Sequence, residues 1–397
     1  MTDVDTETFE WLLTDQGQQL LTIAAEAWAD HDGDPVRAAA AVRRTESDPE
    51  RAAAALTQVS LRVRAVPKFG ADAVHLYFTP DALEQSTRAR VATHRAGRAA
   101  AVGPASVVDL GCSVGGDLIA FARAGLTAVG VDLDPVRVAM ARANLAALGL
   151  DGAVAVADAT TLDLGPFGLA FADPARRSGR GRSFHVEDWT PPWSFVEQLL
   201  ARDSAVKVAP GIPHDLVPAG VEAEWVSDAG ALKEAVLWSG RTASCERRAT
   251  VLGDGGLASL TEEDDPHRGA ERPVVDLGEY LYEPDDAVIR AGLVTAVAAG
   301  VDGGLLDPHI AWVSAAAPFR TPFARGFRVL EEVPFREKGL KAALRSRGIG
   351  TLEIKTRGVD VVPEQLRRRL QLRGTESATL VMTRIAGAGR ALLVERF

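Results

Sequence analysis

The sequence has 397 residues, more than the roughly 100–200 of a typical domain, so two or three domains are expected. Hydrophobic residues make up 47% and charged residues 25%, which excludes a disordered or fibrous protein, and no run of about 18 apolar residues predicts a membrane-spanning helix. The net charge of -10 argues against nucleic-acid binding by the chain as a whole.

The start, MTDVDTETFE, is acidic and lacks the basic-then-apolar pattern of a secretory signal. With two cysteines there is no disulfide framework, and a cytoplasmic location is expected. Residues 1–74 read as a helical region. Apolar spacing predicts a helix from Phe9 to Asp30, a second from about Pro35 to Arg44, and a third from Pro49 through Val63. Thr79 and Pro80 then read as an N-cap and a first helical residue, opening a short helix at PDALEQ.

From about residue 105 short apolar runs alternate with helical stretches. Strands are expected at Ser106–Leu110, Ala128–Asp132, Ala153–Val156, Leu169–Ala172 and Ala205–Val208. Helices are expected at Gly116–Ala124, Pro135–Leu148 and Ser194–Ala201. That rhythm means a parallel α/β sheet, assigned to residues 75–252, with later strands at Glu222–Val226 and Ala235–Trp238. Residues 253–273 are polar, acidic and Gly-rich and read as a linker.

Residues 274–397 form a separate C-terminal region with its core at about 325–397. A short extended piece at Glu279–Pro284 precedes a helix over Ala287–Ala299. Next come the strand Phe327–Leu330, a basic helix at Lys338–Arg345, the segment Thr351–Lys355, a helix at Pro363–Leu370 and strands at Ala378–Thr383 and Ala391–Glu395. Residues 331–397 hold 14 Lys/Arg against 8 Asp/Glu, a balance of +6 that leaves -16 on the rest of the chain. The helix at Pro363–Leu370 carries Arg367, Arg368 and Arg369, so a small α+β region with a basic face is expected, fit for RNA.

The sharpest motif is Val108-Asp109-Leu110-Gly111-Cys112-Ser113-Val114-Gly115-Gly116-Asp117, a glycine-rich turn between a strand and a helix. Glycines let the backbone turn tightly and a ligand approach. Asp132, at the end of the second strand, can accept both hydroxyls of a ribose, so a nucleoside-bearing ligand is implied. The dinucleotide spacing G-x-G-x-x-G is not met. Asp109, just before the turn, is placed for an ammonium rather than a phosphate.

These residues resemble the class I S-adenosylmethionine-dependent methyltransferases, with a Rossmann-like parallel sheet. By that resemblance, Asp109, Gly111, Cys112 and Gly115 line the methionine end of the cofactor. Asp132 holds the ribose, Asp158 lies by the adenine amino group, and Leu133 and Ala159 are further cofactor contacts. Phe78 and Thr79, in an entry segment similar to the FTP helix of some nucleic-acid methyltransferases, are either cofactor contacts or capping and packing residues. The resemblance covers about residues 75–250.

The turn after the fourth strand, Phe171-Ala172-Asp173-Pro174-Ala175-Arg176-Arg177, is the expected catalytic turn. In amine methyltransferases of the same superfamily a similar turn reads Asp/Asn-Pro-Pro-aromatic. Asp173 and Pro174 match it, while Ala175 and Arg176 depart from it. A DPxR turn is also similar to that of the uracil C5 methyltransferases. Those need a cysteine after the fifth strand, where this sequence has Val206-Lys207-Val208-Ala209-Pro210-Gly211, which argues against that chemistry. Arg176, Arg177, Arg180 and Arg182 make a loop that is either solvated or in contact with nucleic acid. His185, Trp189 and Trp193 are either stacking or core residues. The C-terminal region is similar to the THUMP-like domains, whose relatives bind RNA. Seven scattered histidines show no metal-ligand spacing.

Three readings follow. The preferred one is an S-adenosylmethionine-dependent methyltransferase acting on a base in tRNA or rRNA. The others are a methyltransferase-fold RNA-binding protein with little or no turnover, and a small-molecule methyltransferase.

Overall fold

The computed structural model describes residues 4–176, 189–267 and 273–397. The chain divides into two compact units, Met1–Val221 with Val236–Ser244, and Glu222–Ala235 with Cys245–Phe397.

The first unit opens with four helices, α1 (Thr6–Leu12), α2 (Asp15–Asp30), α3 (Pro35–Val42) and α4 (Pro49–Phe69). The single helix expected over Phe9–Asp30 is two, because Thr14 starts a new one: its hydroxyl accepts from Gly17 N at 3.3 Å, the job of an N-cap. Helix α4 runs past the expected end at Val63, through Pro67, to Phe69. Two further helices follow, α5 (Pro80–Gln85) and α6 (Ala89–Ala101).

The sheet begins with β1 (Ser106–Leu110), then α7 (Gly116–Arg123), β2 (Thr127–Asp132), α8 (Pro135–Ala147), β3 (Ala153–Val156) and β4 (Leu169–Ala172). A small ribbon of β5 (Ala175–Arg176) and β6 (Trp189–Thr190) leads to α9 (Trp193–Leu200) and β7 (Ser204–Val208). Neighbouring strands run in the order β7-β4-β1-β2-β3, all parallel. The order reverses between β1 and β4, and at such a switch point the carboxyl ends of open parallel sheets bind ligands.

The N-terminal helices share one hydrophobic core with this sheet: Phe9, Leu21 and Leu61 belong to the same cluster as Val107, Phe121 and Phe171. The buried amide of Asn144 on α8 ties them together. It accepts from Tyr77 N at 2.7 Å and donates to Tyr77 O and Val114 O, so the α4–α5 connection, α8 and the glycine turn are locked by one side chain.

Next in the chain are β8 (Glu222–Asp228), β9 (Ala231–Ser239), β10 (Arg247–Gly253) and β11 (Gly256–Thr261). Part of the segment read as a linker is structured: Gly256–Thr261 pairs antiparallel with Arg248–Gly253. The Gly-rich run that looked like a flexible connection supplies the turn of this hairpin.

The C-terminal part of the second unit holds β12 (Tyr280–Pro284), α10 (Asp286–Ala291), α11 (Val294–Gly300), β13 (Gly303–Asp307), β14 (Ile310–Ala315), β15 (Ala324–Val333), α12 (Glu337–Ser346), β16 (Ile349–Arg357), α13 (Pro363–Leu370), β17 (Glu376–Ile385) and β18 (Ala388–Arg396). Its seven strands follow the order β13-β14-β12-β15-β18-β17-β16. The one helix expected over Ala287–Ala299 is broken at Gly292, which takes a left-handed φ of 71°. Strands β13 and β14 were not anticipated, since GGLLD and IAWVSA lie on either side of a turn with no alternating pattern. Helices α12 and α13 bury Leu340, Leu344, Leu366 and Leu370 against Leu352, Ile354 and Leu380, which leaves their charged faces outward.

Candidate active site at the carboxyl end of the first sheet

The glycine turn is held by the end of its neighbouring strand. Gly111 N and Cys112 N both donate to Val131 O, at 2.8 and 2.9 Å. Gly111 and Gly115 take left-handed φ values of 94° and 85°. At Gly115 a Cβ would also press on Ala141 Cβ at 3.2 Å. Gly115 therefore serves the turn and the α7–α8 packing, and it does not line the cavity described below.

Asp132 completes the turn. Its Oδ2 accepts from Ser113 N at 2.9 Å and its Oδ1 from Asp134 N at 3.0 Å. Each carboxylate oxygen keeps a second lone pair for a ligand.

Asp109 is only 1% exposed, and its Oδ2 has no hydrogen-bond partner. Burial, reinforced by Asp117 and Asp173, pushes its carboxyl well above the ordinary carboxylate range, against the pull of Arg95. Arg95 of α6 is itself buried and pairs with Asp117 at the start of α7. Its guanidinium also lies 4.8 Å above the Phe171 ring. A buried carboxyl with an unsatisfied oxygen is costly and is the natural seat for a cationic group.

A cavity of about 410 Å³ joins these pieces, lined by Asp109, Gly111, Cys112, Asp132, Leu133, Asp158, Ala159 and Asp173, together with Ala82, Gln85, Ser86 and Thr87 from the end of α5 and beyond. Leu133 is 68% exposed and offers apolar surface to a bound group. Asp158 is held below the ordinary carboxylate range by hydrogen bonds from the Thr160 hydroxyl and amide. The Cys112 thiol is pushed up by burial, so it contributes shape and no thiolate.

At the mouth of this cavity Asp173 meets a residue that the sequence motifs did not point to. Lys207 Nζ on β7 donates to Asp173 Oδ2 at 2.6 Å and to Thr87 Oγ1 at 3.1 Å. The signal was a single lysine inside the apolar strand SAVKV, beside the switch point. Pro174 follows Asp173 and is partly exposed.

Other expected residues lie elsewhere. Phe78 and Thr79 do not line this cavity. Phe78 is clamped by Gln58 through its own N and O, and Thr79 caps α5 through Ala82 N. Both line a different hollow against α4. The entry segment therefore reaches the cavity through Ala82–Thr87. Arg176 lies in β5, its backbone opposite Trp189. Arg177, Arg180, Arg182 and His185 fall outside the described residues. Arg367, Arg368 and Arg369 lie in the second unit on α13, all exposed. Arg367 donates to Leu352 O at 3.1 Å, and Arg369 pairs with Glu337. Among the described residues, no group of three or more His, Cys, Asp or Glu is arranged to hold a metal ion, and no helix is long and apolar enough to cross a membrane.

Residues 107–173 match the family described as methyltransferase domain. Residues 324–396 match THUMP domain-like, and residues 5–65 match a domain of unknown function. Relatives from the CDC 1551 and H37Rv strains of Mycobacterium tuberculosis, both named as an uncharacterized S-adenosylmethionine-dependent methyltransferase, are 40% identical over 343 residues, which span 83% of this chain and 91% of theirs. In fold, the chain is similar to a crystal structure assigned as a methyltransferase from Porphyromonas gingivalis W83, with a TM-score of 0.74, 23% identity, and coverage of 96% of this chain and 98% of that one.

Proposed function

The chain belongs to the S-adenosylmethionine-dependent methyltransferases, and from that premise we propose that it methylates a base nitrogen in tRNA or rRNA. The observation that carries the reading is the meeting of Asp109, Asp132, Asp158 and Asp173 around one cavity at the carboxyl ends of parallel strands.

The residues fit the cofactor. The unsatisfied Asp109 oxygen suits the methionine ammonium, and the turn through Gly111 leaves room for the methionine end. Asp132 keeps lone pairs for the ribose hydroxyls. Asp158, Ala159 and the exposed Leu133 suit the adenine, one by hydrogen bonding and the others by apolar cover. When bound, S-adenosylmethionine supplies a methyl group on a sulfonium, already a good leaving group.

The chain then has two tasks, positioning and removal of one proton. Lys207 occupies Asp173 Oδ2, which leaves Oδ1 for the acceptor. Asp173 would accept the N–H of the acceptor nitrogen, aim its lone pair at the methyl carbon, and hold the proton that the nitrogen gives up when the methyl leaves the sulfonium as a neutral thioether. Pro174 stiffens the turn, and the stacking surface that Ala175 lacks would come from another aromatic residue, with Trp189 and Trp193 the candidates. Arg176, Arg177, Arg180 and Arg182 give the phosphates a local hold. The +6 balance of residues 331–397 and the THUMP domain-like match support RNA as the partner, with Arg367, Arg368 and Arg369 as further contacts.

The test is transfer of labelled methyl from S-adenosylmethionine to bulk RNA, followed by mass spectrometry of the digested nucleosides. Label in one methylated base is the expected outcome. Label found only in small molecules would overturn the RNA reading and leave the methyltransferase intact.

A further inference from the structure

We propose that Lys68 and Lys207 are positioning residues: Lys68 clamps the segment Leu83–Thr87 over the cofactor cavity, and Lys207 latches that segment to Asp173. The inference rests on the reading of Asp173 as the acceptor-facing carboxylate.

The clamp is built from the last turn of α4. Lys68 Nζ donates to Leu83 O and Glu84 O, each at 2.6 Å, and to Ser86 O at 2.9 Å. An ammonium has three donors, and all three are used on one short stretch of backbone. Those carbonyls close α5, where helix ends leave acceptors unsatisfied and partially negative. From the other side, Arg88 NH1 returns to Pro67 O at 2.9 Å. The segment between them is thus tied at both ends to the same turn of α4.

What the clamp holds is the wall of the cavity. Gln85, Ser86 and Thr87 line it together with Asp109, Asp132 and Asp173. Thr87 is also the link onward, since its hydroxyl accepts a hydrogen bond from Lys207, which also donates to Asp173. A continuous path runs from α4, through five residues of backbone, to the proposed catalytic carboxylate.

Keeping Lys68 there has a cost. Burial, with Arg88 and Lys207 close by, lowers its affinity for a proton. The N-terminal helices would form their core without it, because α4 enters that core through apolar residues, among them Ala52, Val59, Leu61 and Phe69. A cation is placed against other cations where packing does not require one. The three carbonyls explain its presence.

The experiment compares Lys68→Met and Lys207→Met with the full-length parent. Calorimetry with S-adenosylmethionine and amide hydrogen exchange over residues 83–87 need no acceptor. Lys68→Met should weaken cofactor affinity about fivefold to tenfold and speed exchange of the segment, with the Tm nearly kept. Unchanged affinity and exchange would overturn the clamp. Lys207→Met should leave cofactor affinity within about twofold, speed exchange at Ser86–Thr87, and lower kcat about tenfold on labelled bulk RNA with KM little changed. Lys207→Arg should recover part of kcat, which a merely structural lysine would not require. Parental exchange at Ser86–Thr87 in Lys207→Met would overturn the latch. If Asp173→Ala retains parental turnover, the catalytic reading fails, while calorimetry on Lys68→Met still decides the clamp.

Discussion

The carboxyl groups of the first unit and the arginines of α13 in the second are two ways of placing ionisable side chains. Asp132 holds two backbone amides, Asp173 is fixed by Lys207, and Asp109 is sealed in the sheet at 1% exposure. Each has a set position, and no neighbour can take its place. Arg367, Arg368 and Arg369 stand on an exposed helix face, where a long flexible cation can be exchanged for another. Site chemistry needs fixed groups, whereas a phosphate backbone needs only nearby positive charge. One substitution should therefore cripple the first region, and several should be needed to weaken the second.

The largest effect should come from Asp173→Ala. Removing a positioned acceptor of the reacting proton costs about 10²–10⁴ in rate, so kcat on RNA should fall at least about a hundredfold. Cofactor affinity should stay within about threefold. Turnover within a factor of about two to three of the parent would make Asp173 a loop residue and erase the contrast on its first side.

Asp132→Asn comes next. The amide keeps the shape and one oxygen but loses the charge that strengthens hydrogen bonds to ribose hydroxyls, each worth about 1.5–3 kcal/mol. Affinity for S-adenosylmethionine should drop about tenfold, read by calorimetry. Because Asp132 accepts from Ser113 N and Asp134 N through different oxygens, Asn keeps only one of these bonds and should lower the Tm slightly, and Asp132→Ala, which loses both, should lower it more. An Asn variant with parental affinity would show that the carboxylate serves the turn alone.

How much of this was legible beforehand differs by region. The succession of strands and helices and the glycine turn were readable because each is a local pattern: a strand, a run of glycines, a helix. Asp109, Asp132, Asp158 and Asp173 were singled out through their places at or after strand ends, and all four line one cavity. Lys207 was not, because its meaning depends on Asp173, 34 positions earlier in the chain, and on Thr87, 120 positions earlier. Phe78 and Thr79 read equally as cofactor contacts or as capping and packing residues, and in the structure Thr79 caps α5 while Phe78 is buried against α4. Strands β13 and β14 escaped because their partners are set by long-range pairing, which periodicity does not encode, whereas the break at Gly292 is a local glycine C-cap that helical periodicity passes over.

Asp109 sharpens the comparison through pH. Its folded carboxyl is pushed up from the ordinary 3.8 by burial, so the folded state holds a proton that the unfolded state has released. That contribution to stability is full below the unfolded pKa and is lost as pH rises toward the folded one. Asp109→Asn should remove this loss and raise the Tm of the cofactor-free protein at neutral pH by a few degrees, while S-adenosylmethionine affinity falls for want of a partner to its ammonium. In the parent, cofactor affinity should rise with pH through the same window, with proton release on binding. An Asn variant whose Tm and affinity both match the parent would place Asp109 outside the site.

The smallest effect is expected on α13. Arg367 already donates to Leu352 O, and Arg369 already pairs with Glu337. Neutralising all three as Gln leaves RNA to lose at most three phosphate contacts. Each lost contact lowers the log–log salt slope by about 0.7 for single strands. Two of the arginines are shared with protein partners, so the observed change should fall nearer one contact than three. Single variants should be close to parental, and S-adenosylmethionine binding should be untouched. A single substitution that abolished RNA binding would mean that α13 reads RNA through one fixed side chain, as the first unit reads its cofactor. A triple variant with parental affinity and slope would remove the helix from the RNA surface altogether.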